Sequence, residues 1–227
     1  MPSLIPPIHN DGWRFVIISF AITVFLFTIS KPLGWLGVVF TLWVLYFFRN
    51  PYRIVPQSED LMVSPASGQV CLIQKVIPPE DYELGSDERY RVSIFLNVFD
   101  VHVNRIPLGG VIKKIIYHPG SFLNASFDKA SDENERQTLI IDSGGKKQYA
   151  VVQIAGLIAR RIRCDVHADD EVRNGEVYGL IRFGSRVDIY LPVGAIPAVI
   201  KGQRVTSGES IVCDLGKSGK LPEGEML

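Results

Sequence analysis

The chain has 227 residues, with 24 basic and 24 acidic side chains and a formal net charge of zero. A neutral balance gives no basic footprint for a phosphate backbone and argues against a nucleic-acid partner; with 47% apolar and 21% charged residues the chain is also no disordered tail. The cysteines, Cys71, Cys164 and Cys213, are odd in number and scattered, which excludes a dense disulfide framework and fits a reducing compartment.

A mean hydropathy of +0.17 is high for a soluble domain. The excess lies in residues 15–30 and 33–48, two uncharged runs of 16 residues each, parted by Lys31-Pro32. A spanning helix needs about 20 apolar residues, so each run is slightly short. Arg14, Lys31 and Arg49 can snorkel to the interface and make up the difference. Trp13, Trp35, Trp43 and Tyr46 sit near the run ends, as interfacial anchors do, and Pro32 can break the helix at the tip. This predicts a tail over residues 1–13, then an α-helical membrane hairpin over 14–48, spanning or re-entrant. A buried hairpin of a soluble protein is the alternative, disfavoured because almost no polar residue interrupts either run. A cleaved signal peptide is disfavoured by Asp11, the single Arg and the missing small-residue cleavage site. Arg14, Arg49 and Arg53 flank the open ends while Lys31 stands alone at the tip. The positive-inside rule then puts both ends, and everything after residue 49, on the cytoplasmic side.

Asn50-Pro51 and Pro56 mark a linker over 49–60. From residue 61 onward, short runs rich in Val, Ile, Phe and Tyr alternate with turn residues, at 70–76, 92–103, 111–117, 138–141, 149–155, 178–191, 198–200 and 210–213. The pattern predicts a mainly β (β-rich α+β) domain over 61–227. Only 128–137 reads as helical, and the tail after 217 reads as frayed.

The chain carries no GxGxxG or GxxxxGK[ST] loop, no HExxH and no GxSxG elbow. Its four histidines are far apart, and no metal site is expected. Asp128-Lys129-Ala130 is compatible with the modified lysine of a carrier domain, but its flanks are polar and irregular. More informative is 181–192. Ile181, Phe183, Ser185, Val187, Ile189 and Leu191 share one face, so Ser185 stands where a core residue belongs. Gly184 beside it weakens the strand and admits close backbone approach. A structural bulge is the plainer reading. In 91–107, Val92, Ile94, Leu96 and Val98 share a face that continues into Asp100 and His102. That places a carboxylate beside an imidazole able to act as acid or base near neutral pH; a half-buried structural histidine is the plainer alternative.

Taken together, these stretches closely resemble the short bacterial form of phosphatidylserine decarboxylase. The matching blocks include Tyr46-Phe-Phe-Arg-Asn-Pro51, Val63-Ser-Pro-Ala66, Ser93-Ile-Phe-Leu-Asn97, Asp100-Val-His-Val-Asn-Arg-Ile-Pro107, Asp128-Lys-Ala-Ser131, Gln153-Ile-Ala-Gly-Leu-Ile-Ala-Arg-Arg161 and Arg182-Phe-Gly-Ser-Arg-Val-Asp188. The resemblance implies a self-cleaving proenzyme. Ser185 Oγ attacks the Gly184 carbonyl, and the ester then eliminates, leaving a β chain of 1–184 and an α chain of 185–227 capped by a pyruvoyl group made from Ser185. That group forms a Schiff base with the serine headgroup of phosphatidylserine and accepts the electron pair as CO2 leaves, giving phosphatidylethanolamine. His102 is the implied proton-transfer residue, with Asp100 beside it. The implied partners are phosphatidylserine, the lipid bilayer and the protein's own two chains, as a heterodimer or higher oligomer. The implied location is the bacterial inner membrane, catalytic domain inward. Lys113-Lys114 and Arg160-Arg161 could attract an anionic headgroup.

Two positions depart from the pattern. Arg105 stands where the longer branch of the family has a second histidine. Ser67 stands where the family has an Asp assigned to self-cleavage. A serine cannot charge-stabilise an imidazolium, so either Asp100 or Asp188 substitutes or maturation is impaired. The alternative function is therefore an unprocessed family member that binds anionic phospholipid without turnover.

Overall fold

A computed structural model describes residues 6–120, 134–145, 147–156, 161–182, 184–217 and 222. The two apolar runs form helices α1 (Trp13–Ile29) and α2 (Lys31–Phe47), joined by the single extended residue Ser30, with Pro32 in the first turn of α2. Proline fits there because first-turn amides have no intrahelical partner. Small residues line the contact between the helices. A Cβ on Gly37 would lie 2.9 Å from Thr23 Oγ1 and 3.0 Å from its Cα, and the Thr23 and Thr41 hydroxyls share a hydrogen bond of 2.9 Å. Such residues let apolar helices approach closely. The outer faces stay apolar and exposed, through Phe20, Phe25, Trp35 and Val39. With its preceding turn, the first helix runs Asn10–Ile29 and is long and apolar enough to cross a bilayer; the second, at 17 residues, is shorter.

Beyond residue 60 the described chain carries a 3-10 turn at Glu80–Tyr82 and is otherwise built mainly of strands. In order these are β1 (Leu61–Val63), β2 (Gly68–Val76), β3 (Arg89–Leu96), β4 (Val103–Arg105), β5 (Gly110–His118), β6 (Arg136–Asp142), β7 (Gln148–Ala155), β8 (Ile162–Cys164), β9 (Glu171–Val172), β10 (Val177–Ile181), β11 (Ser185–Tyr190), β12 (Arg204–Val205) and β13 (Ile211–Asp214). Eight of them form an antiparallel sheet in the order β12-β2-β3-β11-β7-β6-β5-β9; β4-β10-β8 and β1-β13 make two smaller sheets. The mainly β expectation holds, with two helices ahead of it.

Two local expectations fail, and a third differs where the structure describes it. The run 92–103 is not one strand: β3 ends at Leu96 and a turn follows. Asp100 closes that turn, its N–H donating to the Asn97 carbonyl (2.9 Å) and its carboxylate accepting the Asn97 N–H (3.0 Å). This is the ordinary turn chemistry of Asp and outweighs the apolar alternation around it. The run 178–191 is likewise broken. β10 ends at Ile181, Gly184 takes φ +68°, and β11 begins in a different sheet. Only glycine adopts that conformation without strain. In the helix expected over 128–137, residues 128–133 lie outside the described residues, and Arg136 and Gln137 open β6. The Asp128–Ser131 block and the Lys129 carrier reading also lie outside them.

The main core gathers one face of the large sheet, including Ile94, Leu96, Val151, Ala155, Val187 and Ile189. A separate cluster sits at the foot of the hairpin, where Val44, Phe47 and Phe48 meet Val101, Val103 and Leu180. Phe47 and Phe48 are fully buried there, which stabilises the docking of the hairpin by roughly 1.5–3 kcal/mol each.

Candidate active site

Ser185 is the first residue of β11, the strand between β3 and β7, and it pairs with Leu96 on one side and Ala155 on the other. Its side chain is fully buried and its Oγ has no hydrogen-bond partner among the described residues. A buried hydroxyl left unpaired costs about 1–3 kcal/mol, so such a group calls for an explanation beyond packing. Gly184 precedes it in the left-handed conformation, and a Cβ built there would meet nothing within 4 Å. The peptide between the two therefore joins a rigid strand to a turn with free space beside it.

His102 lies in the same place, completely buried. The Gly184 N–H donates to His102 Nε2 at 3.2 Å, and His102 Nδ1 is 3.0 Å from the Asp100 carbonyl oxygen. These two contacts fix the tautomer. An amide donor requires a lone pair on Nε2, so the ring proton sits on Nδ1 and points at the carbonyl. Burial lowers the imidazole pKa to about 4; the Asp100 carbonyl opposes that shift and the Arg49 charge adds to it. The ring is therefore neutral at pH 7, with its Nε2 lone pair turned toward Gly184 and accepting that residue's N–H. Phe47 from the hairpin foot covers the ring at 4.4 Å between centroids.

The sequence places Asp100 and His102 together and the structure brings them together, but not through the expected atoms. The Asp100 backbone carbonyl meets the imidazole, while its carboxylate pairs with the Arg204 guanidinium. Turn formation at Asn97–Asp100 rotates the side chain away. Asp188 is also committed elsewhere. It is buried on the opposite face of β11 and takes a bidentate pair from Arg186, at 2.6 and 2.9 Å. Ser67 is buried and its Oγ accepts the Ser207 N–H at 3.0 Å. Arg105 points to the linker, donating to the Asn50 side chain and the Gly175 carbonyl.

Sequence reasoning missed four neighbours. Gln153 stands on the Ser185 face of β7, and its Nε2 donates to Asn104 Oδ1 at 2.8 Å. Gln153 Oε1 and Asn104 Nδ2 are buried without partners among the described residues. Both residues occur in the matched blocks, yet only the fold puts them on one face. Asp11 and Arg182 meet across the molecule, and no local pattern announces that. Among the described residues no cluster of His, Cys, Asp and Glu could hold a metal ion. What the arrangement can do is nucleophilic attack: a buried hydroxyl, a preceding glycine with open space at its α-carbon and a neutral imidazole in contact with that glycine's N–H.

Comparison with known proteins agrees with this geometry. The family described as phosphatidylserine decarboxylase matches residues 40–213. A phosphatidylserine decarboxylase proenzyme of Cereibacter sphaeroides is 52% identical over 215 residues, covering 95% of this chain and 93% of the relative. One of Rhodospirillum rubrum is 50% identical over 216 residues, covering 95% and 92%.

Proposed function

The chain belongs to the phosphatidylserine decarboxylase family, and from that premise we propose which of its residues perform the chemistry. The protein is a proenzyme that processes itself to a pyruvoyl form and removes CO2 from phosphatidylserine. The residues present fit a group made in place from Ser185, because its Oγ is buried and unpaired beside a glycine with open space.

In maturation, Ser185 Oγ attacks the Gly184 carbonyl carbon and His102 Nε2 takes the hydroxyl proton. The amide N–H at Ser185 becomes a free amine as the ester forms. Removal of the Ser185 α-proton then breaks the Oγ–Cβ bond, Gly184 leaves as a carboxylate, and hydrolysis of the dehydroalanine releases ammonia. The products are chains 1–184 and 185–227. A low imidazole pKa suits this work: His102 is present as base at neutral pH without competing protonation. The Asp100 carbonyl holds the ring and stabilises the imidazolium as it forms. In turnover, the pyruvoyl carbonyl supplies the electron sink for the pair left by CO2, and His102 delivers or removes the proton at the reacting carbon. Phe47 and the buried apolar surround exclude water from the ring.

The apolar hairpin is the membrane anchor in this reading, with the site at its foot. Arg14, Arg49 and Arg53 lie at the open end, which supports a cytoplasmic catalytic domain. The observation that carries the assignment is the contact of Gly184 N–H with His102 Nε2 next to the unpaired Ser185 Oγ. Intact mass of the purified protein tests it. Two fragments meeting between 184 and 185, the smaller with a pyruvoyl terminus, are expected; a break elsewhere would remove Ser185 from the role.

A further inference from the structure

The segment ahead of the first helix grips Arg182, two positions before Gly184 and three before the proposed new chain start. Asp11 is buried, and its Oδ2 accepts from Arg182 Nε at 2.9 Å and lies 2.6 Å from Arg182 Nη2. Phe15 adds its ring face, with the Arg182 guanidinium carbon 5.2 Å from the centroid, a favourable cation–π contact. The segment itself is fastened to the foot of the hairpin and the start of the linker. His9 N–H donates to the Phe48 carbonyl (2.8 Å), Asn50 N–H donates to the Pro7 carbonyl (2.7 Å), and the Asp11 N–H is 3.3 Å from His9 Nδ1.

We propose that Asp11 is a positioning residue for self-cleavage: it holds Arg182 and thereby fixes the Gly184 carbonyl for attack by Ser185 Oγ. The proposal rests on cleavage between Gly184 and Ser185. Its physical basis is an asymmetry in how the two sides of that peptide are held. Ser185 is locked by strand pairing on both sides. Gly184 has a left-handed backbone, open space beside it and, among the described residues, a hydrogen bond to His102. Arg182 and Gly184 lie outside the strands, between the end of β10 and the start of β11, so the approach to Gly184 depends on what holds Arg182. A charge-assisted two-donor grip on a buried carboxylate is a strong and directional restraint. Loss of alignment at a reacting centre by about 1 Å costs on the order of 100-fold in rate.

Asp11 also meets Arg14 Nη2 at 2.5 Å and Arg163 Nη1 at 3.3 Å. These two arginines lie away from the cleavage peptide in sequence and supply the control. The experiment is a time course of full-length chain against the two fragments, by mass, in full-length protein in detergent. Asp11→Asn and Arg182→Gln are each expected to slow cleavage by about 10- to 100-fold, and the double variant is expected to be no slower than the slower single one. Arg14→Gln and Arg163→Gln are expected to cleave within about threefold of the native rate. Once cleaved, Asp11→Asn protein is expected to keep its kcat/KM per pyruvoyl group, which separates alignment for maturation from general damage. Native cleavage rates in both Asp11→Asn and Arg182→Gln would overturn the proposal. Equal slowing in the Arg14 and Arg163 variants would also overturn it, by showing a structural hub instead. If Asp11→Asn does not fold, the Arg182→Gln rate decides alone. Absence of a 184/185 break in native protein would instead overturn the assignment on which the proposal rests.

Discussion

The two faces of β11 are built on opposite rules. On one face Ser185 lies beside Leu96 and Ala155 of the main core, its hydroxyl without a partner among the described residues. On the other, Arg186 and Asp188 are as deeply buried yet fully engaged: the guanidinium grips the carboxylate at 2.6 and 2.9 Å and also donates to Ser93 Oγ at 2.8 Å. Arg91 Nε adds a further charge 3.9 Å from Asp188. Under the proposed cleavage, the difference teaches how a strand can be cut at its first residue and stay in place. The Ser185 face would keep the proposed nucleophile free of competing partners. The opposite face, with backbone pairing to β3 and β7, would hold residues 185–190 once the chain is cut.

The largest effect expected from breaking this contrast is at Ser185. Ser185→Ala removes the proposed nucleophile. Denaturing gels are expected to show a single uncut chain, and lipid assays no CO2 release; a fragment of native size in this variant would contradict the assignment. Next comes His102→Ala, expected to lower turnover in cleaved protein by about 10²- to 10⁴-fold, the usual worth of a placed acid–base group. Rates close to native in that variant would return His102 to a packing role.

The opposite face answers to stability instead. Asp188→Leu alone leaves the Arg186 guanidinium buried without its carboxylate and is expected to cost ~3–5 kcal/mol in urea unfolding. Arg186→Met combined with Asp188→Leu is expected to recover most of that loss. A double variant as unstable as the single one would show that the pair contributes net attraction. A smaller effect follows from pH. His102 binds its proton with a pKa of about 4 in the folded protein and about 6.5 when unfolded. Between these values the unfolded chain holds more protons, so acid favours unfolding. Stability is full above pH 6.5, falls as pH drops toward 4, and changes no further below it from this group, by about 3 kcal/mol in all. Unfolding curves at pH 7 and pH 4.5 measure it, and the part due to His102 is expected to vanish in His102→Gln. The smallest effect is expected at Ser67. The imidazole is already oriented by the Asp100 carbonyl at 3.0 Å, so Ser67→Asp is expected to change the cleavage half-time by no more than about threefold, near the low end of one hydrogen bond. A much faster Ser67→Asp protein would show that the carbonyl is a poor substitute for a carboxylate.

Much of the site was legible because its chemistry is local. Gly184-Ser185 is odd in an apolar strand, and His102 follows a strand that ends in a turn. The roles of Asp100 and Asp188 were not legible. Alternation places both on plausible faces, but Asp100 is drawn into the Asn97 turn and an arginine pair, and Asp188 into its own strand's Arg186. The hairpin reads as an anchor from hydropathy alone. That Phe47 also covers the His102 ring follows from docking, which hydropathy does not encode.

The sequence by itself determined the two apolar helices and the mainly β character of the rest, and it singled out the Gly184-Ser185 pair. These depend on periodicity, composition and backbone freedom within a few residues. Only the tertiary structure decided that the 178–191 run breaks into strands of two sheets. It alone decided that the imidazole is buried and neutral, and that Asp11 holds Arg182 across a separation of 171 residues. The physical reason is that such features come from desolvation and from charges brought together by packing. Those energies exist only when distant segments share one interior, so no window along the chain contains them.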